Sequence, residues 1–258
     1  MIAHERRLLG HRGACAELPE NSMPSFERAV AIGVDVLETD VHLTADGHVV
    51  ISHDPDGRRA AGVAEAIATS SLEAVRRWDI GWGHRDAQGA RPFAGRGLQV
   101  PTLDELLGAF PAMRFNVDIK PESPAVVGPV LEVIRRHDAS ARICLASFSG
   151  RVIRAVRRAG FAGETVLAQD EVIALLAAPS LVLDRLRPVG TAVQIPTHQG
   201  LLDLASPRFI DKCHRLGYRV DYWTINDPDE ADTLLSRGAD GLISDDPAAL
   251  LPVVDRHR

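Results

Sequence analysis

The stretch DVLETDVHLTADGHVVISHD, from Asp35 to Asp54, predicts a strand with two carboxylates, a turn, and a second strand that ends in a His–Asp pair. Glu38 and Asp40 are two positions apart, so their side chains point to the same face of a strand. Two like charges in one small place need a positive partner, and a metal ion is a simple solution. We therefore expect this stretch to form the centre of a charged site.

Short β-like runs alternate with amphipathic helical runs along the chain. An extra hairpin strand is predicted at 49–53, and Gly160, Gly217 and Gly238 each end a predicted helix. Eight βα units in 258 residues predict an α/β fold that closes into a TIM (β/α)8 barrel. A doubly wound sheet is the alternative, and the absence of GxGxxG after the first strand argues against its dinucleotide-binding version. The eight main strands are predicted at 8–13, 34–43, 115–119, 143–147, 165–168, 192–195, 220–224 and 241–244, with helices at 22–33, 102 onward, 125–137, 151–159, 171–186, 207–216, 230–237 and 248–254.

No low-complexity tract or long charge run divides the chain, so we expect a single domain over residues 1–258. The segment at about 55–100 is irregular, with one short helix near 71–78 and a glycine-rich stretch, GWGHRDAQGARPFAGRG.

The net charge of 29 − 35 = −6 gives no general attraction to nucleic acid, so we expect no nucleic-acid partner. Cys15, Cys144 and Cys213 are odd in number and widely spaced, which favours reduced thiols. No run approaches the roughly 20 apolar residues of a membrane span, and the N-terminus has no stretch of signal-peptide length. These features predict a cytoplasmic protein without a stable membrane anchor.

Polar residues cluster where the predicted strands end, and in a barrel those ends share one rim. Glu38, Asp40 and Asp118 are carboxylates on neighbouring predicted strands. Hard divalent cations prefer oxygen ligands, so these residues predict Mg²⁺ or Ca²⁺. Two histidines suit proton transfer in both directions, and nearby cations suit an anionic substrate such as a phosphate. The rim is predicted to contain His11, Arg12, Glu38, Asp40, His53, Asp54, Asp118, Lys120, Ser147, Phe148, Gln194, Trp223, Asn226 and Asp245.

Each residue alone also permits a structural interpretation. His53 could be a structural histidine, and Trp223 could belong to the core. Arg12 and Lys120 could form an ion-pair network with the carboxylates in the barrel mouth. Taken together, these alternatives are unattractive, because burying so many charges without a function is costly.

The residues at these positions resemble the glycerophosphodiester phosphodiesterase family, and the resemblance covers nearly the full length. HRG alone would be a weak signal, but the order and spacing of several motifs are specific. These motifs are HRG at 11–13, PENS at 19–22, ETDVHLTADGHVVISHDP at 38–55, PTLDELL at 101–107, NVDIK at 116–120, SF at 147–148, WTIN at 223–226 and GADGLISDDP at 238–247.

The resemblance implies a TIM barrel in which residues at about 55–100 form a small insertion after the second strand, near the active-site mouth. It implies hydrolysis of glycerophosphodiesters to glycerol 3-phosphate and an alcohol, with a divalent metal ion as cofactor. It implies that His11 and His53 are the general acid–base pair, and it leaves open which is the acid and whether water or a substrate hydroxyl attacks. The implied metal ligands are Glu38, Asp40 and Asp118. The resemblance also implies that Arg12 and Lys120 bind the phosphate and that Trp223 lines the pocket.

This sequence departs from the family pattern at two positions. Asp118 stands where glutamate is more common, which affects metal identity and affinity, and Ser22 stands where threonine is more common, which is harmless for helix capping. Glu20 and Asn21 match the EN motif and are expected to shape the first loop, with Glu20 nearer the site.

Three other functions compete with this one. A lysophospholipase D or sphingomyelinase-D-like enzyme would need an apolar groove, for which the insertion offers Trp78, Trp82 and Phe93. A non-catalytic barrel that binds a phosphorylated ligand would not need both histidines, and an unrelated metal-dependent lyase or isomerase would not need the HRG and HDP pair. The head group and the oligomeric state are not determined by the sequence.

Overall fold

The computed structural model describes residues 5–178, 183, 188–200 and 202–258. In this part of the chain the strands lie in the predicted order, and most are short. They are β1 (Arg7–Gly10), β2 (Val36–Leu43), β3 (Val49–Ile51), β4 (Arg114–Ile119), β5 (Ile143–Ala146), β6 (Glu164–Thr165), β7 (Ala192–Ile195), β8 (His198–Gln199), β9 (Leu202–Asp203), β10 (Arg219–Tyr222) and β11 (Gly241–Ser244).

Eight of these strands form a nearly closed parallel barrel, in the order β6-β5-β4-β2-β1-β11-β10-β7. The ring is completed between β6 and β7, where Val166 bridges Ala192 and the amide of Leu167 donates to the Ala192 carbonyl at 2.8 Å. The predicted TIM barrel is therefore confirmed. β3 pairs antiparallel with β2, as the predicted turn between the two strands indicated, and β8 and β9 form a small separate hairpin.

Helices follow most of the barrel strands and cover the outside of the ring. Capping residues fix where several of these helices begin. Ser22 accepts from the Ser25 amide at the start of α1, and Thr102 and Glu105 form a capping box on α4. The helices are α1 (Met23–Ile32), α2 (Arg58–Ala61), α3 (Leu72–Val75), α4 (Leu103–Ala109), α5 (Val127–Arg136), α6 (Gly150–Arg158), α7 (Gln169–Ala177), α8 (Pro207–Arg215), α9 (Pro228–Ser236) and α10 (Pro247–Arg256).

The predicted helix at 171–186 is observed only in part. α7 covers Gln169–Ala177, and most of the remainder lies outside the described residues. None of the helices in the described ranges combines the length and the apolar composition that crossing a membrane requires.

The main core lies between the outer face of the barrel and the helices. Seven of the eight residues of β2 are buried, because a barrel strand is covered by helices outside and by other side chains inside. The largest fully buried side chains include Tyr218, Tyr222, Phe26 and Phe115.

The segment after β3 has a small core of its own. Trp78 and Ile80 are buried in it together with Ile67, Val75, Val50 and Val100. Asp79 supports the loop above this core, because its carboxylate accepts from the amides of Gly81, Gly95 and Leu98. Short helices and turns can therefore hold a defined shape beside the barrel mouth.

The first strand ends three residues earlier than predicted. Arg12 and Gly13 have φ angles of 53° and 91°, which end the strand and begin a loop. Position 13 requires glycine, because a Cβ there would lie 2.4 Å from the Ser25 Oγ atom. The strand predicted at 220–224 likewise ends at Tyr222. Both differences place the rim residues in loops rather than in strands.

Candidate active site

The carboxyl ends of β1, β2, β4 and β11 bring charged side chains from distant parts of the sequence together. Asp40 and Asp118 are direct neighbours in the β2–β4 register. β1 pairs with β2 on one side and with β11 on the other, so the loop after β1 lies between the carboxylates of β2 and Asp245. Asp40, Asp118 and Asp245 therefore share one rim of the barrel.

Three buried carboxylates and two cations form the centre of the rim. The Lys120 Nζ atom lies 2.8 Å from Asp40 Oδ1 and 2.7 Å from Asp118 Oδ2. The Arg12 Nε atom lies 3.2 Å from Asp40 Oδ2, and the Arg12 amide donates to Glu38 Oε2 at 3.0 Å. Both predicted phosphate-binding cations are thus held by predicted metal ligands.

The carboxylates differ in how well their charges are balanced. Burial, together with repulsion from Asp40, raises the pKa of Glu38 to about 7. Burial also raises the pKa of Asp118, more than Lys120 lowers it. Burial acts in the same direction on Asp40, but the charges of Lys120 and Arg12 outweigh it and lower the pKa of that carboxyl. The site thus has more buried negative charge than its own cations neutralise.

The carboxylate cluster fits a hard divalent cation in its chemistry. Its donors are oxygens, and the buried Oδ1 atom of Asp118 has no hydrogen-bond partner among the described residues. Among the described residues, a different group has its possible metal-ligand atoms within 4.8 Å of one another: His11, Cys15 and Asp245. The assignment of Glu38, Asp40 and Asp118 as metal ligands therefore stays a prediction.

His11 is held by a carboxylate from the far end of the chain. Its Nδ1 atom lies 2.5 Å from Asp245 Oδ1, which also accepts from the Cys15 thiol at 3.0 Å. Burial alone would lower the pKa of His11, but the hydrogen bond to Asp245 and the charge of Glu38 raise it above its usual value. His11, Cys15 and Asp245 are therefore joined by hydrogen bonds, and the His11 Nε2 atom is turned toward Glu38 Oε2, 4.0 Å away.

His53 is held in a similar way by its neighbour in sequence. Its Nδ1 atom lies 2.7 Å from Asp54 Oδ1, and the other oxygen of Asp54 accepts from Arg59 Nε at 2.6 Å. These hydrogen bonds outweigh the effect of burial and lower the pKa of Asp54. An ionised carboxylate can only accept, so the His53 Nδ1 atom carries the proton and its Nε2 atom is free to exchange one.

Glu20 joins the first loop to the insertion. Its Oε1 atom accepts from Arg12 at 3.1 Å and from Arg59 at 2.7 Å. The neighbouring Asn21 donates to Asp40 Oδ2 at 3.0 Å and has a φ of 55°, which is unusual for a residue other than glycine. Strained backbone at two positions of the first loop, 12 and 21, is typical of functional sites.

Trp223 lies at the other side of the rim and is partly buried. It packs against a small apolar cluster of Leu9, Val36 and Ile243. Its ring also meets the exposed ring of Phe148 edge-to-face, with centroids 6.1 Å apart, and the Lys120 Nζ atom lies 6.0 Å from the Phe148 centroid. Trp223 thus contacts both the core and the residues of the rim.

For some residues of the site the sequence predicted a position on the rim but no role, and one residue was not predicted at all. Asp54 was predicted beside His53 without a role, Asp245 was predicted at a strand end but was not connected to His11, and Arg59 was not singled out. Gln194, predicted at the rim, lies inside the barrel, where it donates to Asn116 Oδ1 at 3.0 Å and to Asp221 Oδ2 at 3.2 Å. The motif HDP could have indicated the His53–Asp54 pair, since the two residues are adjacent.

Cations suited to binding phosphate and histidines suited to proton transfer lie at one rim of this barrel, an arrangement that suits an enzyme acting on phosphate esters. Residues 11–249 match the model of the Glycerophosphoryl diester phosphodiesterase family. The chain belongs to this family, and it is therefore a phosphodiesterase.

Full-length similarity to individual proteins supports the family assignment. A Mycobacterium tuberculosis protein named "Probable glycerophosphodiester phosphodiesterase 2" is 35% identical, over 95% of this chain and 89% of the relative. Lysophospholipase D GDPD1 of Rattus norvegicus is 26% identical, over 95% of this chain and 84% of the relative.

Solved structures have the same fold. One from Silicibacter pomeroyi, described as a "Putative glycerophosphoryl diester phosphodiesterase", has a TM-score of 0.81 and 25% identity, covering 98% of this chain and 94% of that one. A phosphodiesterase from Oleispira antarctica, in complex with the product sn-glycerol-3-phosphate, has a TM-score of 0.77 and 24% identity, covering 96% of both chains.

Proposed function

We propose that the protein hydrolyses water-soluble glycerophosphodiesters to glycerol 3-phosphate and an alcohol, with His11 and His53 as the acid–base pair. The observation that carries this proposal is the family match over residues 11–249, because that range includes every candidate residue of the rim. The relatives named glycerophosphodiester phosphodiesterase and the product complex of the Oleispira protein support the same substrate class.

His11 and His53 are held by the same kind of hydrogen bond. Each has a carboxylate on Nδ1, which fixes the tautomer and leaves Nε2 to accept or donate a proton. One Nε2 atom would remove the proton from the nucleophile, and the other would protonate the leaving alkoxide. Either water or a neighbouring glycerol hydroxyl of the substrate satisfies this arrangement.

Arg12 and Lys120 would bind the phosphate. Both are partly buried and already held by Asp40, so their charges are in place before the substrate arrives. Glu38, Asp40 and Asp118 would hold a divalent metal ion, Mg²⁺ or Ca²⁺, which when bound supplies positive charge near the non-bridging oxygens of the phosphate. Trp223 would line the pocket beside Phe148.

A lysophospholipase D activity is the second candidate, since relatives named lysophospholipase D also match. The aromatic residues that could line an acyl groove are engaged otherwise. Trp78 is buried in the small core of the insertion, the ring face of Trp82 is covered by Arg91, and Phe93 packs against His84 and Arg96. This arrangement favours small water-soluble diesters.

The test is hydrolysis of glycerophosphocholine, glycerophosphoethanolamine, bis(p-nitrophenyl) phosphate and lysophosphatidylcholine, before and after EDTA and with Mg²⁺ or Ca²⁺ restored. We expect release of glycerol 3-phosphate from the glycerophosphodiesters, loss with EDTA and recovery with the metal. Product from lysophosphatidylcholine alone would favour the second candidate. Absence of metal-dependent product from every diester would refute the proposal.

A further inference from the structure

A cavity of about 250 Å³ lies between the first loop of the barrel and the insertion. Cys15 and Glu20 line it from the first loop, and Arg59, His84 and Arg85 line it from the insertion. Its walls touch the proposed reaction centre, since the Cys15 thiol donates to the carboxylate that holds His11, and Glu20 binds Arg12. A group bonded to the reacting phosphate would therefore have space here.

The side chains that line this cavity carry more positive than negative charge. Glu20 is the lining carboxylate, and it already accepts hydrogen bonds from Arg12 and Arg59. Arg85 donates to the backbone carbonyl of Gly89 at 3.0 Å, and no carboxylate of the described residues forms an ion pair with it. Desolvation and the nearby charge of Arg85 lower the pKa of Arg91, as expected where cations are in excess. The side of the cavity formed by the insertion is thus positive.

The same cavity is poorly suited to a quaternary ammonium group. Such groups are recognised by the faces of Trp, Tyr or Phe rings. Among the described lining residues none is Trp, Tyr or Phe. Trp82, which precedes the lining residue Gly83, has its ring covered by the Arg91 guanidinium, whose Cζ atom lies 3.3 Å from the ring centroid.

We propose that this cavity is the subsite for the leaving alcohol, that it selects alcohols carrying a second anionic group such as a phosphate, and that Arg85 is the residue that determines this specificity. The inference rests on the proposed phosphodiesterase function and adds the substrate class. Arg85 can bind an anion bidentately, because its guanidinium presents several parallel donors. Arg59 is held by Glu20 and Asp54 and would contribute charge without moving.

The test compares kcat/KM for bis(glycerophospho)glycerol, whose leaving group carries a second phosphate, with kcat/KM for glycerophosphocholine. In the wild type we expect the anionic substrate to be preferred by about tenfold or more, the range of one charge-assisted hydrogen bond. Arg85→Gln is expected to remove this preference through a higher KM for the anionic diester, with little change for glycerophosphocholine. Arg85→Lys, which keeps the charge, should restore part of it.

Arg77→Gln is the matched control, because Arg77 is an exposed cation of the same insertion that pairs with Glu73 and does not line the cavity. This variant should leave kcat/KM for both diesters at the wild-type value. Equal kcat/KM for the two diesters in the wild type, or an equal loss for both in Arg85→Gln, would refute the inference while the phosphodiesterase function stands. If the wild type hydrolyses neither diester, the proposed function fails, and the inference fails with it.

Discussion

The Nδ1 atom of His11 lies 2.5 Å from the Oδ1 atom of Asp245, although 234 positions separate the two residues. The contact depends on the pairing of β1 with β11, in which Gly10 is opposite Ser244. The first and last strands of the barrel thus position one histidine of the proposed acid–base pair. Asn226 supports the same carboxylate, because its side-chain amide donates to Asp245 Oδ2 at 2.9 Å.

Replacing either proposed catalytic histidine should abolish most of the turnover. We expect His11→Ala and His53→Ala each to lower kcat by roughly 10²-fold or more, because each removes a positioned proton-transfer group. Steady-state kinetics on glycerophosphocholine measures this. His48→Ala is the control, since His48 is exposed on the β2–β3 turn and should keep wild-type kcat. Near-wild-type turnover in either of the first two variants would exclude that histidine from the chemistry.

Asp245 is predicted to act through His11 rather than on the substrate. In Asp245→Asn the amide can donate to Nδ1 and so place the His11 proton on Nε2, the wrong tautomer. We expect kcat to fall at least roughly tenfold with KM nearly unchanged. Combined with His11→Ala, the same substitution should cause no further loss, because its effect passes through the missing imidazole.

Asp246→Asn tests whether this loss depends on position. Asp246 is adjacent and caps α10, where its carboxylate accepts from the Ala249 amide at 3.1 Å. Asparagine caps equally well, so this variant should behave as the wild type. A further loss of kcat when Asp245→Asn is added to His11→Ala would show that Asp245 acts independently of His11.

The Thr102–Glu105 capping box should make stability depend on pH. Burial opposes ionisation of Glu105, but hydrogen bonds from Thr102 and Arg76 outweigh it and lower the pKa of the carboxyl. Since the pKa is lower in the folded state, the stabilisation exists above the unfolded value of about 4.3 and disappears as pH falls through the folded value.

We therefore expect Glu105→Gln to reduce the free energy of unfolding by about 0.5 kcal/mol at pH 7 and to have a smaller effect near pH 3. Urea unfolding at the two pH values measures the difference. Glu73→Gln, at an exposed position on α3, is the comparison and should change little at either pH. A constant difference between wild type and Glu105→Gln at both pH values would contradict the assignment.

A buried polar cluster inside the barrel should contribute to stability rather than to catalysis. Asp221 is fully buried and accepts from Arg219 Nε at 3.1 Å and from Gln194 at 3.2 Å. Asp221→Asn leaves the charge of Arg219 with only Glu164 among its ion-pair partners in the described residues. We expect the free energy of unfolding to fall by about 3 kcal/mol.

Asp211→Asn, an exposed substitution on α8, should stay within about 0.5 kcal/mol of the wild type. The activity per folded molecule should be the same in both variants, because Asp221 is not a residue of the rim. Wild-type stability of Asp221→Asn would show that the cluster does not require the charge.

Local patterns predicted the architecture well. Hydrophobic patterns with the period of a strand alternate with patterns that have the period of a helix, and glycines mark the ends of several helices. These signals act over a few residues, so they predicted where the barrel strands lie along the chain. The spacing of two residues placed Glu38 and Asp40 on one face, and the same spacing placed Lys120 beside Asp118, with 2.7 Å between Nζ and Oδ2.

Contacts that depend on closure of the ring could not be predicted from local patterns. The hydrogen bond between Asp245 and His11 requires the register of β1 against β11, which no short stretch encodes. The end of β1 was predicted three residues late, because the loop that begins at Arg12 depends on distant contacts. The Arg12 backbone amide donates a hydrogen bond to Glu38, and Gly13 packs closely on Ser25. The role of Arg59 depends on how the insertion folds back onto Glu20.

The position of Lys120 between Asp40 and Asp118 has a consequence for substrate recognition. A free lysine side chain has about 2 kcal/mol of rotamer entropy, which a ligand would have to overcome if it ordered the chain on binding. Here the ordering takes place when the protein folds, since two carboxylates already hold the ammonium group. The arrival of a phosphate would therefore require little additional loss of side-chain freedom at this residue.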